Sequence, residues 1–492
     1  MPAVIEHESA STETAHIVIV GGGITGLSAA FYLERAAQAA GRSIRCTVIE
    51  RETRFGGKIL TETIDDPTGT FIVEGGPDSF VAQKPWGVQL ARDLGLGDQL
   101  VGTKPGRSTT YVLRAGRPVA MPEGMMLIFP TRLLPFAFSP LLSWRGKLRM
   151  ACELVLPPKR DQSDETLADF IRRRFGAEAL DRLAEPLLAG IHSADPERQS
   201  LLMTFPRFRE IERAHGSIIR GMLAARRKAL AAPKSDLSPF ITLRGGIGEL
   251  VRALLEQINC RLIARSEVTT IDYDPDAMHA YRLDLNGGAA IDADAVVLTT
   301  PAEAAAKLVA PIQPALAGEL RRFRYVTTGT VTLAYRRAEI GNPLEGFGLV
   351  IPQSERRKIN AVTMTSQKFE LRAPDGMALI RVFVGGSRTP ETVALDDEAL
   401  LELARGELAD ILGITATPLW SRIYRWPNGN PQYDIGHGER LNAIMRQLPE
   451  GLVLAGSSYN GVGIPDCIRQ GQEAAERALA HLERVARPAA AI

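Results

Sequence analysis

Cysteine is scarce in this chain, with four in 492 residues. Cys46, Cys152, Cys260 and Cys467 lie far apart with no C-x-x-C pair. This excludes a disulfide frame or thiolate metal site and predicts buried thiols in a reducing compartment. Histidine is sparse too, at seven, and no two have ligand spacing, so no metal is expected. Charge of one sign is missing: 58 basic side chains stand against 57 acidic, a net +1. Nothing therefore marks a nucleic-acid surface, and no nucleic-acid partner is expected. No apolar run reaches the length of a membrane span. Residues 1–15 carry Glu6, Glu8 and Glu13 and lack an apolar centre. They are too polar for a signal peptide and too acidic for a transit peptide, so the expectation is a disordered tail on a cytoplasmic protein. No internal repeat is visible, and the alanine-rich end is the one biased segment.

What the chain does have is a soluble, globular composition, 45% hydrophobic and 23% charged. Its length calls for two or more domains. One stretch organises the rest. His16 to Val20 reads as a buried parallel strand. Gly21, Gly22, Gly23, Ile24, Thr25 and Gly26 follow as G-x-G-x-x-G, and a helix continues over Leu27 to Glu34. The first glycine makes the turn, the second admits a pyrophosphate, and the third lets helix and strand touch. A second strand, Arg45 to Ile49, ends at Glu50, 24 residues after Gly26, where a carboxylate can hold a ribose hydroxyl pair.

Two more glycine turns follow. Arg51 to Lys58 holds Gly56-Gly57, with Arg51 and Lys58 able to meet phosphate. Phe71 to Phe80 holds Gly75-Gly76-Pro77-Asp78-Ser79. A nicotinamide dinucleotide would not need them, whereas an extended FAD would. Tyr111 to Ala120 reads as a hairpin. Met121 to Pro158 is apolar but broken by Pro130, Pro135 and Pro140, and Trp144 stands beside Arg145, Lys147 and Arg149. Such a segment suits a membrane interface or a lid over an apolar channel. Helices are expected over Thr166 to Phe175 and Ala177 to Leu188, the second capped by Gly190. Phe240 to Val251 reads as strand, turn and helix. Ala264 to Tyr273, Tyr281 to Leu285 and Asp294 to Pro301 bring the chain back to the cofactor domain. Gly329 to Tyr335, Phe347 to Ile351, Ala361 to Thr365 and Ala378 to Val384 suit an antiparallel sheet. Leu400 to Leu412 reads as a helix. The stretch Gly451 to Gly471 is strand, loop and helix, whose N-terminus could face a flavin.

Fold class follows: α/β, with a discontinuous Rossmann-like FAD-binding domain over 16–88, 240–305 and 420–485. An antiparallel-sheet substrate domain covers 89–120 and 306–419, and a helical lid or membrane-associated domain covers 121–239.

The chain resembles the oxygen-dependent, FAD-containing protoporphyrinogen and coproporphyrinogen oxidases, a bacterial branch of the flavin amine-oxidase superfamily. The resemblance spans about Ala15 to Leu482. It rests on Gly75 to Phe80, Glu185-Pro-Leu-Leu-Ala-Gly-Ile191, Ala194-Asp-Pro196, Phe347-Gly348, Phe383-Val-Gly-Gly-Ser387 and Ser458-Tyr-Asn-Gly-Val462. It implies non-covalent FAD held by Gly21 to Gly26, Glu50, Arg51, Lys58 and Gly76 to Ser79. Val268 would flank the adenine, and Trp426 with Val462, Gly463 and Ile464 would bind the flavin side. A porphyrinogen would lie between Phe383 and a wall of Val350 and Met364, with the Gly190 carbonyl accepting pyrrole N–H groups. Three two-electron oxidations at FAD would give the porphyrin in haem biosynthesis, with dioxygen reduced to hydrogen peroxide. Where plant enzymes carry an arginine for a propionate, this chain has Gly97, leaving Lys84, Arg92 or Arg107 as candidates. No catalytic side chain stands out, because a flavin carries the redox chemistry. A homodimer, a peripheral contact with the inner face of the cell membrane and the choice of porphyrinogen stay open. The alternative is an amine oxidase or carotenoid desaturase, although no flavin-facing lysine or aromatic cage is visible.

Overall fold

A computed structural model describes residues 14–106, 109–231, 238–341 and 344–489. The expected tail lies, but for its last two residues, outside the described residues, and so does Arg107.

His16–Val20 is buried along its whole length, as a run of five apolar-leaning residues requires inside a parallel sheet. It is the middle of five strands, in the order Arg261–Ile263, Arg45–Ile49, His16–Val20, Ala295–Leu298, Leu452–Leu454. All four pairings are parallel. The strands come from distant parts of the chain, so this sheet is assembled from separated segments. Helices Ile24–Ala39, Gly248–Gln257 and Ile464–Ala489 share one apolar core with one of its faces. The first and last of these cross closely, because a Cβ on Gly471 would stand 2.5 Å from the Thr25 carbonyl. On the other face packs a three-stranded antiparallel sheet, Val268–Tyr273, Tyr281–Leu285 and Ala290–Ala293.

The second large sheet has seven strands. They run Trp420–Gln432, Arg324–Arg336, Met377–Gly385, Ala361–Met364, Gly348–Val350, Thr110–Arg114, Arg117–Ala120. Two expectations change here. The sheet is mixed, because Gly348–Val350 runs parallel to Thr110–Arg114. Trp420–Gln432, expected in the cofactor domain, is an edge strand of this sheet, paired along Arg324–Arg336. One face of the sheet is a dry core of Val331, Ile380, Val382 and Val384 under helix Asp397–Leu412. That helix is capped by Asp396 and ends at Gly413 with φ +70°. The opposite face carries Arg381 and Phe383, by the two-residue alternation of a strand.

Residues 133–231 are mainly helical. Thr166 caps helix Leu167–Phe175 as its sequence suggests. The next helix departs from expectation. Leu180–Ala189 is wound as a π-helix around Pro186, and the helix runs on through Gly190 to His192. Proline lacks the N–H that an α-helix needs, and a wider turn absorbs the defect. Gly190 has right-handed angles (φ −57°, ψ −36°), so it caps nothing. Cys152 is exposed, against the expectation of four buried thiols.

Arg174 and Glu153 are fully buried in this helical layer. Arg174 Nε donates to Glu153 Oε1 at 3.0 Å, and its other N–H groups reach the carbonyls of Leu156, Pro157 and Gly216. Glu153 in turn accepts from Ser217 Oγ and from the Ile218 N–H at the start of helix Ile218–Ala231. Every partner is used, the condition under which a buried pair is tolerated. Glu153→Ala removes the close carboxylate and leaves Arg174, for a carboxylate, the 3.5 Å contact with Glu212, and it should cost roughly 3–5 kcal/mol. The denaturation midpoint should fall sharply, and an unchanged midpoint would contradict the role of this pair.

Candidate active site

The first glycine turn is set by sterics. Gly21 has φ +108°, and a Cβ on Gly26 would lie 2.0 Å from the Gly21 carbonyl oxygen, so a side chain at Gly26 would clash with backbone. Gly23 is different. The nearest atom to a Cβ there, the Gly57 Cα, is 3.9 Å away. No protein atom forbids a side chain at Gly23, so the space in front of it is room for a ligand. Ile24 and Thr25 open the helix behind it. Glu50 is buried and its carboxylate accepts from the Gly22 N–H at 2.8 Å and the Glu52 N–H at 2.9 Å. Its remaining lone pairs can still meet hydroxyls. Val268 packs with Val20 and Ile49 beside this strand end, and Ser266 N–H donates to the Glu50 carbonyl.

The second turn docks on the first. Gly56 N–H donates to the Gly22 carbonyl at 2.8 Å, and Gly57 stands over Gly23. Arg54 folds this loop by donating to the carbonyls of Gly57 and Ile59, at 2.5 and 2.9 Å. Sequence reasoning gave Arg54 no role, although it stands two residues before the Gly56-Gly57 pair. Arg51, by contrast, faces solvent and pairs with Glu52 at 3.1 Å. Burial lowers the pKa of the Lys58 ammonium from its ordinary value.

The third turn rests on the large sheet. A Cβ on Gly76 would lie 1.8 Å from the Lys58 carbonyl oxygen, and one on Gly75 would meet the Tyr424 ring at 2.7 Å. The Trp426 indole N–H donates to the Gly75 carbonyl at 2.8 Å. Arg381 Nη2 donates to the Gly76 carbonyl at 2.7 Å. Beyond Pro77, Asp78 pairs with Lys368 at 2.9 Å and accepts from Ser79 Oγ at 2.6 Å. Burial alone would raise the Asp78 pKa, but Lys368 and Arg381 outweigh it and hold the carboxyl at about 2.

The C-terminal loop closes the group. Gly461 has φ +112°, and Gln470 Oε1 accepts from the N–H groups of Gly456 and Asn460. Val462 and Gly463 lead into helix Ile464–Ala489, where Asp466 accepts from Lys84 Nζ at 2.5 Å. Lys84, expected to meet a propionate, is thus committed to Asp466. Burial pushes the Cys467 thiol up to about 11.

Beside these turns, Phe383 is half-buried on the cofactor-facing side of the large sheet. It stands in register with Ala361, which is in register with Val350. Phe383 and Val350 therefore share one face, two strands apart, and do not oppose each other. Met364 is opposite Ile380, on the other face, buried in the core under helix Asp397–Leu412. It does not line the site. A one-residue offset in a strand inverts the face, which explains the error. Gly190 is exposed with open space at its Cβ position, and Ser193 N–H donates to its carbonyl at 3.2 Å. Ser193 abuts Gly386, so the π-helix end meets the strand that carries Phe383. Arg92 has its stem 3.6 Å from where a Cβ on Gly97 would be.

A family model described as flavin containing amine oxidoreductase matches residues 24–479. The chain belongs to this family. Within it, the chain is 35% identical to a coproporphyrinogen III oxidase of Bacillus subtilis, covering 95% of this chain and 98% of that protein. It is 28% identical to a chloroplastic protoporphyrinogen oxidase of Nicotiana tabacum, covering 95% and 86%. A crystal structure assigned as a protoporphyrinogen oxidase from Exiguobacterium sp. 255-15 matches with TM-score 0.82 and 31% identity, covering 95% and 99%. Cyclohexylamine oxidase from Brevibacterium oxydans, at 18% identity and TM-score 0.68, shares the fold. The cofactor is FAD, and the residues present fit it: the space before Gly23 suits a pyrophosphate, Glu50 a ribose, and the helix N-terminus at Ile24 negative charge.

Gly23→Val separates ligand space from protein packing. It should leave the melting temperature of the apo-protein unchanged and abolish flavin absorbance in the purified protein. Gly26→Ala should instead lower the melting temperature of the apo-protein. Full FAD occupancy in Gly23→Val would contradict the cradle.

Proposed function

We propose that the chain oxidises a porphyrinogen to the porphyrin in haem biosynthesis, with coproporphyrinogen III as the preferred substrate. The observation that carries this reading is the match to three bacterial coproporphyrinogen III oxidases at 32–35% identity over 94–95% of the chain. The plant protoporphyrinogen oxidases stand lower, at 26–29%. Non-covalent FAD, held by the Gly21–Gly26 loop, Glu50 and the Gly75–Asp78 turn, would supply the two-electron acceptor, with dioxygen as the terminal oxidant. Three such oxidations remove six hydrogens from the macrocycle and reduce three dioxygen molecules to hydrogen peroxide.

The chain's own residues bind and orient. Phe383 offers a flat ring to a pyrrole, and the Gly190 carbonyl, which keeps a free lone pair beside its 3.2 Å contact with Ser193 N–H, accepts from pyrrole N–H groups. The pinned turn Gly75–Asp78 keeps the cofactor against this face. The 16–88 and 240–305 segments, with the chain after Trp420–Gln432, form the cofactor domain, and the seven-stranded sheet forms the substrate wall. The helical region serves as the membrane-facing part. Phe138 is 82% and Trp144 76% exposed, beside exposed Leu133, Leu134 and Leu148, and Lys147 lies over the Trp144 ring. Exposed apolar residues flanked by cations suit a lipid interface better than a lid, since a lid would turn them inward. Among the described residues no helix is long and apolar enough to cross a membrane, so contact would be peripheral.

Steady-state assays with coproporphyrinogen III and protoporphyrinogen IX, read by porphyrin fluorescence, test the reaction. Wild type should turn over both, the first with higher kcat/KM. Phe383→Ala should raise KM with FAD content unchanged, as loss of aromatic stacking worth on the order of 1 kcal/mol predicts. No turnover of either substrate would overturn the reading. In liposome flotation, Phe138→Ser with Trp144→Ser should abolish binding and leave turnover in detergent intact. Binding that survives both changes would place the membrane contact elsewhere.

A further inference from the structure

We propose that Arg381 is a positioning residue that couples the cofactor turn to the ring of Phe383, so that binding FAD orders the substrate wall. The proposal builds on the porphyrinogen reading.

Arg381 lies mid-strand in Met377–Gly385 and is 5% exposed. Its guanidinium is held from two directions by two different parts of the site. Nη2 donates to the Gly76 carbonyl at 2.7 Å, and the guanidinium carbon lies 5.0 Å from the Phe383 ring centroid. The contact to Thr330 Oγ1 is long, at 3.4 Å. Arg381 Nε, buried, has no hydrogen-bond partner. Asp78 and Glu74 favour its charge, yet Asp78 gives its close contact to Lys368.

Comparison with Arg174 is instructive. Arg174 commits its whole fork to the Glu153 carboxylate and four carbonyls. Arg381 forms no close carboxylate bond and leaves a buried donor unmade, which is costly. Arg372 is buried in the same manner, its Nε also unpartnered and its guanidinium near the Phe369 ring, but its bonds go to Thr242 and to the carbonyls of Leu243 and Arg244, none of them in the cofactor turn. The two good contacts that Arg381 does make join a main-chain carbonyl of the cofactor turn to an aromatic ring on the substrate face. The flat, delocalised cation lies beside the ring and donates from its edge to the carbonyl, a planar geometry that the point charge of an ammonium reproduces only in part. If the turn moves away, Arg381 loses its strongest anchor, and Phe383 loses the cation that fixes its ring.

Two measurements on the full chain test this. In hydrogen exchange, FAD loading of wild type should slow exchange across 377–385, and Arg381→Met should lose that slowing while still binding FAD. In steady state with coproporphyrinogen III, Arg381→Met should raise KM by no more than loss of the Phe383 ring does, up to about fivefold, with little change in kcat. Arg381→Lys should recover only part of the loss. The double variant Arg381→Met with Phe383→Leu should be no worse than Phe383→Leu alone. Slowing that persists in Arg381→Met, or additive effects in the double variant, would overturn the coupling. Should Arg381→Met fail to fold, Arg381→Lys carries the same comparison. Failure of wild type to oxidise any porphyrinogen would overturn the substrate reading and leave the exchange experiment to decide the coupling.

Discussion

The turn Gly75–Asp78 has to lie flat on the seven-stranded sheet, and the rest of the site depends on that contact. Gly75 touches the Tyr424 ring and Gly76 touches the Lys58 carbonyl, so neither position has room for a Cβ. Three polar bonds then pin the turn: Trp426 to the Gly75 carbonyl, Arg381 to the Gly76 carbonyl, and Lys368 to Asp78. Hydrogen bonds of this kind contribute about 0.5–1.5 kcal/mol each, more where a charge takes part. Their larger effect is geometric. They join the segment that follows the dinucleotide loop to the sheet that carries Phe383, two parts of the chain 300 residues apart in sequence.

The same contact accounts for the charge pattern. Asp78 stays ionised because Lys368, at the end of the short helix Thr365–Lys368, and Arg381 of the sheet face it, and its pKa near 2 lies below the 3.8 of a free aspartate. A depressed carboxylate stabilises the fold above its unfolded pKa and loses that contribution as pH falls through the folded value. The Asp78–Lys368 link therefore persists throughout the neutral range. The glycine loop, the Arg54-stitched loop and the pinned turn form one continuous surface, on which an extended FAD can lie.

Much of this was legible in the sequence, for physical reasons. Buried parallel strands are nearly continuous apolar runs, so His16–Val20 and Arg45–Ile49 match expectation to the residue. The glycine turns announced themselves because each needs a missing Cβ. What stayed hidden was orientation. Leu379 to Val384 is apolar except at Arg381, so alternation could not say which face Phe383 takes or that Arg381 turns toward the cofactor. Met364, which the resemblance implied for the wall, lies one residue off the face that Ala361 and Thr363 present and points into the core. Trp420–Gln432 contains Pro427, Gly429 and Pro431, which disguise an edge strand. The π-helix at Leu180–Ala189 has no sequence period of its own to read.

Rapid mixing without oxygen tests the central claim most directly. FAD-loaded protein mixed with one equivalent of coproporphyrinogen III should lose its flavin absorbance in a single turnover, and admitted oxygen should restore it. Substrate that binds, as judged by equilibrium dialysis, yet leaves the flavin oxidised would contradict the account, because the pinned turn would then not hold the cofactor against the Phe383 face.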